Sequence, residues 1–237
     1  MGASAEASRR RRPRLIDTDW LLMRDLGAAI VSQAPRVVRA GATAVDFGCG
    51  SKPYEPIFAS AGVRYLGADL DPHSDVPIDR DGRLSLADDS VDLVLSFQVL
   101  EHIRDLGTYF SEAKRVLRPG GWMMLSTHGT WFYHPHPEDH RRWTRPGLIG
   151  EMGCHGFEVV DCIPIVGPLA WTTIIRLTCV CFALRKMPLI GRAVAAALAV
   201  AMNLRAWIED AATPAWVKND NACVYLTLAR PIAEAVR

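Results

Sequence analysis

Three features of this sequence predict an α/β protein built on a doubly wound, mostly parallel sheet of seven strands. Apolar strand-like runs alternate with helical periodicities along most of the chain. The first run ends in a glycine turn, Gly48-Cys49-Gly50. The second ends, about twenty residues on, in Asp69, the distance at which α/β nucleoside-binding folds carry a carboxylate. Alternation of this kind buries a parallel sheet beneath helices on both faces.

The elements follow in order. Residues 17–34 read as an amphipathic helix: Asp17 or Thr18 can cap it, Leu22, Leu26, Ala29, Ile30 and Gln33 share a face, and Pro35 follows. Residues 43–48 (TAVDFG) form a short buried strand, 53–60 a short helix and 63–70 (VRYLGADL) a second strand. Residues 71–89 are polar and turn-rich, with a brief strand at 76–79. A buried strand follows at 91–98. Next comes a helix at 105–118, lined on one side by Leu106, Phe110, Ala113 and Leu117 and closed by Pro119-Gly120-Gly121. A fifth strand is expected at 122–127, a Thr144-capped helix to about Gly153, and strands at 157–163 and 222–229.

With 237 residues, the chain suits one α/β domain with additions. Hydrophobic residues make up 49% and charged residues 22%, which excludes a disordered chain. A net charge of +1 gives no overall field to attract nucleic acid, so no nucleic-acid partner is expected. The arginines at 9–12 and 14 mark residues 1–16 as a basic flexible tail, with anionic lipid headgroups as an alternative partner. No signal-type apolar run follows them, because Asp17, Asp19, Arg24 and Asp25 interrupt. The six cysteines form no CxxC pair, so reduced, buried thiols and a cytoplasmic location are expected.

Glycines where a strand meets a helix let a ligand approach the backbone, and Asp69 can accept both hydroxyls of a ribose. A nucleoside cofactor follows. It is not bound as a dinucleotide, because Lys52 and Pro53 stand where a third glycine would be. The segments VDFGCG, YLGADLDP, LADDSVDLVLSFQVLEHIRD and EAKRVLRPGGWMMLST, in that order between residues 43 and 127, resemble class I S-adenosylmethionine-dependent methyltransferases. The closest pattern is the type 11-like subgroup with VLEH after the fourth strand. The resemblance implies a Rossmann-like fold with S-adenosylmethionine as cofactor. It places Asp46, Gly48, Cys49 and Gly50 at the methionine end, Asp69 on the ribose, Leu70 against the adenine and Asp79 near its amino group. It places Gln98 at the methionine portion or sulfonium, with His102 close by. One departure is 71–81, too short and polar for the usual helix after the second strand.

The segment WFYHPHPEDHRRW, residues 131–143, follows the fifth strand and so lies beside the expected methyl group. Its prolines exclude an ordinary helix or central strand. An alcohol acceptor must lose a proton, and His128, His134, His136 and His140 are the candidate bases, with His134 and His136 favoured over His140. A loop held together by these rings is the structural alternative. Metal binding by His134, His136, Asp139 and His140 has the donor atoms but no regular ligand spacing, so no metal is expected. Trp131, Tyr133 and Trp143 can stack on a sugar or other flat ring, while Arg141 and Arg142 can hold phosphate or carboxylate.

Residues 17–237 therefore read as one methyltransferase domain carrying an apolar helical insertion at 168–209 before the last strand. Within it, 168–204 has apolar bodies and cationic ends. Arg176 breaks the first apolar segment and the second is too short to span. Peripheral contact with the inner face of a membrane and burial as an insertion or dimer contact are both open. The expected activity is O-methylation of a sugar hydroxyl in a glycan or lipid-linked saccharide. Alternatives are an isoprenoid quinone or other small lipophilic acceptor, or a cofactor-binding partner protein without catalysis.

Overall fold

The computed structural model of the protein describes residues 3–233. Its strands are β1 (Thr43–Phe47), β2 (Arg64–Asp69), β3 (Val76–Pro77), β4 (Val91–Phe97), β5 (Leu117–His128), β6 (Phe157–Ile165) and β7 (Val224–Pro231). They form one sheet in the order β3-β2-β1-β4-β5-β7-β6. Strands β1 to β5 pair in parallel, and β7 runs antiparallel between β5 and β6. The expected doubly wound, mostly parallel, Rossmann-like sheet is present. Strand order reverses between β1 and β4, and in open α/β sheets that crevice is where ligands bind.

The helices are α1 (Ala3–Arg11), α2 (Trp20–Val37), α3 (Glu55–Ser60), α4 (Leu106–Val116), α5 (Arg145–Cys154), α6 (Pro168–Leu184), α7 (Gly191–Ala212) and α8 (Ala215–Asp220). Successive strand residues point to opposite faces, so each strand feeds two cores. Ala44, Leu93, Leu95 and Leu226 pack with Leu22, Leu26 and Ile30 of α2 and Ile174 of α6. Val45, Val94 and Leu125 pack with Phe110 and Ala113 of α4 and Leu148 and Met152 of α5. Each large aliphatic buried this way contributes about 1.5–3 kcal/mol.

Several boundaries differ from expectation. Helix α2 begins at Trp20, because Asp17 accepts the Arg14 amide at 2.7 Å and the Asp19 carboxylate is held by Arg9 instead of capping. The helix also runs through Pro35, which sits in its last turn. Strand β5 starts at Leu117, five residues before the expected 122, since Val91 pairs with Leu117 across an irregularity. Thr144 does cap α5, its side chain accepting the Gly147 amide at 3.2 Å.

The basic segment is not a free tail. Residues 3–11 form helix α1, docked by two bonds from Arg9 Nη1 to Asp19 at 2.7 and 2.9 Å and by Arg11 to the Pro53 carbonyl at 3.4 Å. The cysteines are all free, but Cys154 and Cys179 are exposed rather than buried. Helices α6 and α7 pack as an antiparallel pair through Leu177, Cys181, Ala195 and Ala199. The base of α6 joins the main core through Ala170 and Ile174. Among the described residues, no helix is long and apolar enough to cross a membrane.

Candidate functional site

A cleft of about 1330 Å³ opens at the carboxyl ends of β1, β2 and β4. Its floor is the turn after β1. Gly48 has φ +83°, and a Cβ there would meet both Val99 methyls at 2.7 Å, so only glycine fits. The Gly48 and Cys49 amides both donate to the Ala68 carbonyl at 2.9 Å, which pins the turn to β2. The Gly50 amide donates to Asp69 Oδ2 and the Leu70 amide to Asp69 Oδ1, each at 2.7 Å. Both carboxylate oxygens are thereby oriented, and each keeps a lone pair for a ligand hydroxyl.

Asp46 lies buried at the end of β1. The Tyr65 hydroxyl donates to its Oδ2, while Oδ1 has no partner. Burial pushes its pKa up to about 7, against the pull of the Tyr65 hydrogen bond and with the help of the Asp69 charge. A ligand ammonium beside Oδ1 would reverse that shift. Cys49 lines the same wall, its thiol pushed up to about 12 chiefly by burial, so it is no nucleophile. Gln98, just past β4, is held at φ +58° by its amide bond to the Ser126 carbonyl at 2.8 Å. Its side-chain nitrogen lies 3.4 Å from His128 Nε2. Exposed Leu70 lines the cleft, as does Asp79, whose Oδ1 closes its own turn by accepting the Asp81 and Arg83 amides.

The loop after β5 divides in two. Trp131, His134 and His136 line the cleft beside His102 and His128. The remaining expected substrate and base residues do not. Arg142 donates to both oxygens of Asp139 and to the carbonyls of Trp131 and Phe132. Arg141 holds the carbonyls of Ile103 and Arg104. Both arginines are turned to shaping the loop, and neither lines the cleft. Trp143 is buried in the core beneath α5, Tyr133 points to solvent, and His140 pairs with Glu138 at 3.1 Å outside the cleft.

The cleft ends in an imidazole cluster. The His102 and His134 rings lie 5.0 Å apart, the His128 and His134 rings 5.1 Å apart, and His128 lies parallel to Trp131 at 5.5 Å. The Nδ1 of His134 meets the Phe132 carbonyl at 2.9 Å and that of His102 meets the Glu138 carbonyl at 2.6 Å. A carbonyl only accepts, so Nδ1 carries the proton and Nε2 is the basic nitrogen in both rings. Burial lowers the pKa of His134, and that of buried His128 falls well below the usual histidine value. Glu101 lies fully buried beneath them, pushed up to about 7 chiefly by that burial. The quartet His134, His136, Asp139 and His140, set aside on its spacing, does not gather among the described residues. His134 approaches Glu101 and His102 instead.

Glu101 and Tyr65 carry no role in the sequence reading, and Glu6, Arg9 and Arg10 of α1, which wall the cleft, carry none at the site. The Glu-His pair directly after the fourth strand is the signal for Glu101. Nothing local signals that the arginine run folds back over the cleft.

A glycine turn after β1, a carboxylate after β2 and a cleft at the strand-order reversal define an α/β protein that binds a nucleoside cofactor. A family model described as a methyltransferase domain matches residues 20–160. The chain therefore belongs to the methyltransferase-domain family, whose cofactor is S-adenosylmethionine. A Mycolicibacterium smegmatis protein named a probable S-adenosylmethionine-dependent methyltransferase is 32% identical over 143 residues, 53% of this chain and 56% of that protein. An uncharacterized methyltransferase of Mycobacterium ulcerans is 40% identical over 100 residues, 37% of this chain and 39% of that one. The matched region thus spans about half or less of these relatives. In fold, the chain is similar to one from the complex of the Haloferax volcanii Trm112 methyltransferase activator with a methyltransferase. That likeness has a TM-score of 0.58 at 19% identity and covers 99% and 97% of the two chains. Burkholderia thailandensis 1,6-didemethyltoxoflavin-N1-methyltransferase, solved with S-adenosylhomocysteine, is similar at TM-score 0.54 and 17% identity, over 98% and 87%.

Proposed function

We propose that this chain transfers the methyl group of S-adenosylmethionine to a hydroxyl oxygen of a sugar, in a glycan or lipid-linked saccharide met at the cytosolic face of a membrane. The observation that carries this reading is the cleft itself: a cofactor half ending against open imidazoles and an indole. Asp46 offers its unpartnered Oδ1 to the cofactor ammonium, Asp69 its two oxygens to the ribose hydroxyls, and Leu70 its exposed side chain to the adenine. The acceptor ring lies along Trp131, with one hydroxyl toward the imidazole cluster. The new bond joins that oxygen to the methyl carbon as the bond from carbon to sulfur breaks. The hydroxyl proton passes to an imidazole, leaving a methyl ether and S-adenosylhomocysteine. Orientation of the three atoms in line supplies much of the acceleration.

The membrane half of the proposal rests on the tip joining α6 to α7. Phe182, Met187, Leu189 and Ile190 are all exposed there. Residues 162–208 carry Arg176, Arg185, Lys186, Arg192 and Arg205 and no acidic residue. Apolar side chains ringed by cations match an anionic bilayer surface. A quinone or other lipophilic acceptor fits the same tip and is the second reading. Calorimetry with S-adenosylmethionine tests the core: folded protein that does not bind it overturns the proposal. Mass spectrometry of glycans and lipids after gene deletion then names the acceptor by the methyl group it loses.

A further inference from the structure

We propose that Glu101, His102 and His134 bind a divalent first-row transition metal ion of the zinc class at the acceptor end of the cleft. This rests on that end being where the acceptor hydroxyl lies. One ligand atom from each of the three residues lies within 4.8 Å of the others. The Nδ1 atoms of His102 and His134 are tied to the carbonyls of Glu138 and Phe132, at 2.6 and 2.9 Å. Anchoring one ring nitrogen on a carbonyl is how proteins fix the tautomer and aim the other nitrogen at a metal.

Glu101 supplies the second, independent observation. Its side chain is wholly buried, and Oε2 accepts the Thr127 hydroxyl at 2.8 Å. Oε1 has no hydrogen-bond partner, although His128 Nε2 stands 3.4 Å away and His102 Nε2 4.0 Å away. A buried carboxylate oxygen without a donor is costly, and a cation held between it and two imidazoles removes the cost. Two imidazole nitrogens and one carboxylate oxygen suit zinc and its neighbours rather than magnesium or calcium, which take oxygen ligands. Such a set leaves coordination positions open. His102 and His134 both line the cleft, so those positions face the acceptor. An acceptor hydroxyl bound there is oriented and more acidic.

The test uses chelator-treated full-length protein titrated with Zn²⁺ by calorimetry, and with Co²⁺ followed by visible absorption. One equivalent of Zn²⁺ is expected to bind, and Co²⁺ to give the bands of a low-coordinate nitrogen–oxygen site. His102→Ala, His134→Ala and Glu101→Gln should each weaken binding at least tenfold, while His155→Ala leaves it unchanged. Should Glu101→Gln not fold, the two histidine variants carry the test. No stoichiometric Zn²⁺ binding by folded protein overturns the inference. So does binding untouched by all three variants, which would place the ion elsewhere, as on exposed Cys154 or Cys179. S-adenosylmethionine binding is measured on the same samples. Cofactor binding without metal binding overturns the metal site alone, and metal binding without cofactor binding overturns the methyl-transfer reading alone.

Discussion

Gly48 and Asp46 show how much of the cleft rests on single atoms. An alanine at 48 would carry φ +83° and push its Cβ to 2.7 Å from the Val99 methyls. Gly48→Ala should therefore lower stability by about 1–3 kcal/mol and abolish cofactor binding, read by thermal melting and calorimetry. Removing the carboxylate of Asp69 deletes charge-assisted bonds of about 1.5–3 kcal/mol each, so Asp69→Ala should weaken S-adenosylmethionine at least tenfold with the fold intact. Asp46 makes a prediction about pH. Its folded pKa, about 7, lies above its ordinary 3.8, so the folded state holds the proton more tightly than the unfolded chain. The stability this contributes is full below about pH 4 and is lost as pH rises through 7. Asp46→Asn should thus melt several degrees above the parent at pH 8, a gain of roughly 4 kcal/mol at most, and the gain should shrink at pH 5. Buried His128 and half-buried His134 act oppositely, their lowered pKa values costing stability as pH falls below 6.5.

At the scale of elements, the loop between β5 and α5 is a scaffold built around one ion pair. The side chain of Asp139 is shielded from solvent and is held by Arg142, which also gathers the Trp131 and Phe132 carbonyls. Removing one partner of such a pair strands the other, at a cost of about 3–5 kcal/mol. Arg142→Ala should lower the melting temperature and the rate of methyl transfer while leaving cofactor affinity within about threefold. The β-α alternation, the glycine turn and Asp69 were legible in the sequence because their signals are local: periodicity, a φ only glycine tolerates, a fixed spacing. The roles of Arg141, Arg142 and Trp143 were not. The same side chains suit a phosphate, a stacked ring or a buried buttress, and only the packing of the loop against Ile103, Arg104 and Asp139 decides among them. The docking of α1 was illegible for the same reason: its anchor, Asp19, reads in the sequence only as a charge that interrupts an apolar run.

For the molecule as a whole, the sheet and the α6–α7 hairpin divide the labour. The sheet edge holds the cofactor cleft, and the hairpin carries the exposed apolar tip with only cations around it. Flotation with anionic vesicles should carry the protein upward, weakly with neutral lipid and less in high salt. Phe182→Asp with Leu189→Asp should leave it at the bottom without changing its melting temperature, since neither side chain is buried. Protein that ignores anionic vesicles would leave the tip to another partner.

One side chain ties these two halves together. Asn203, wholly buried on α7, donates from Nδ2 to the Leu15 carbonyl at 2.7 Å and to the Asp17 carbonyl at 2.8 Å. Those carbonyls belong to the strap that joins α1 to α2, and α1 is a wall of the cleft. The hairpin and the cleft wall are thus joined through Asn203, by way of the strap between α1 and α2. On the proposal that the hairpin tip meets a bilayer, a tilt of α7 there would reach the cofactor's doorway through two hydrogen bonds rather than through the sheet.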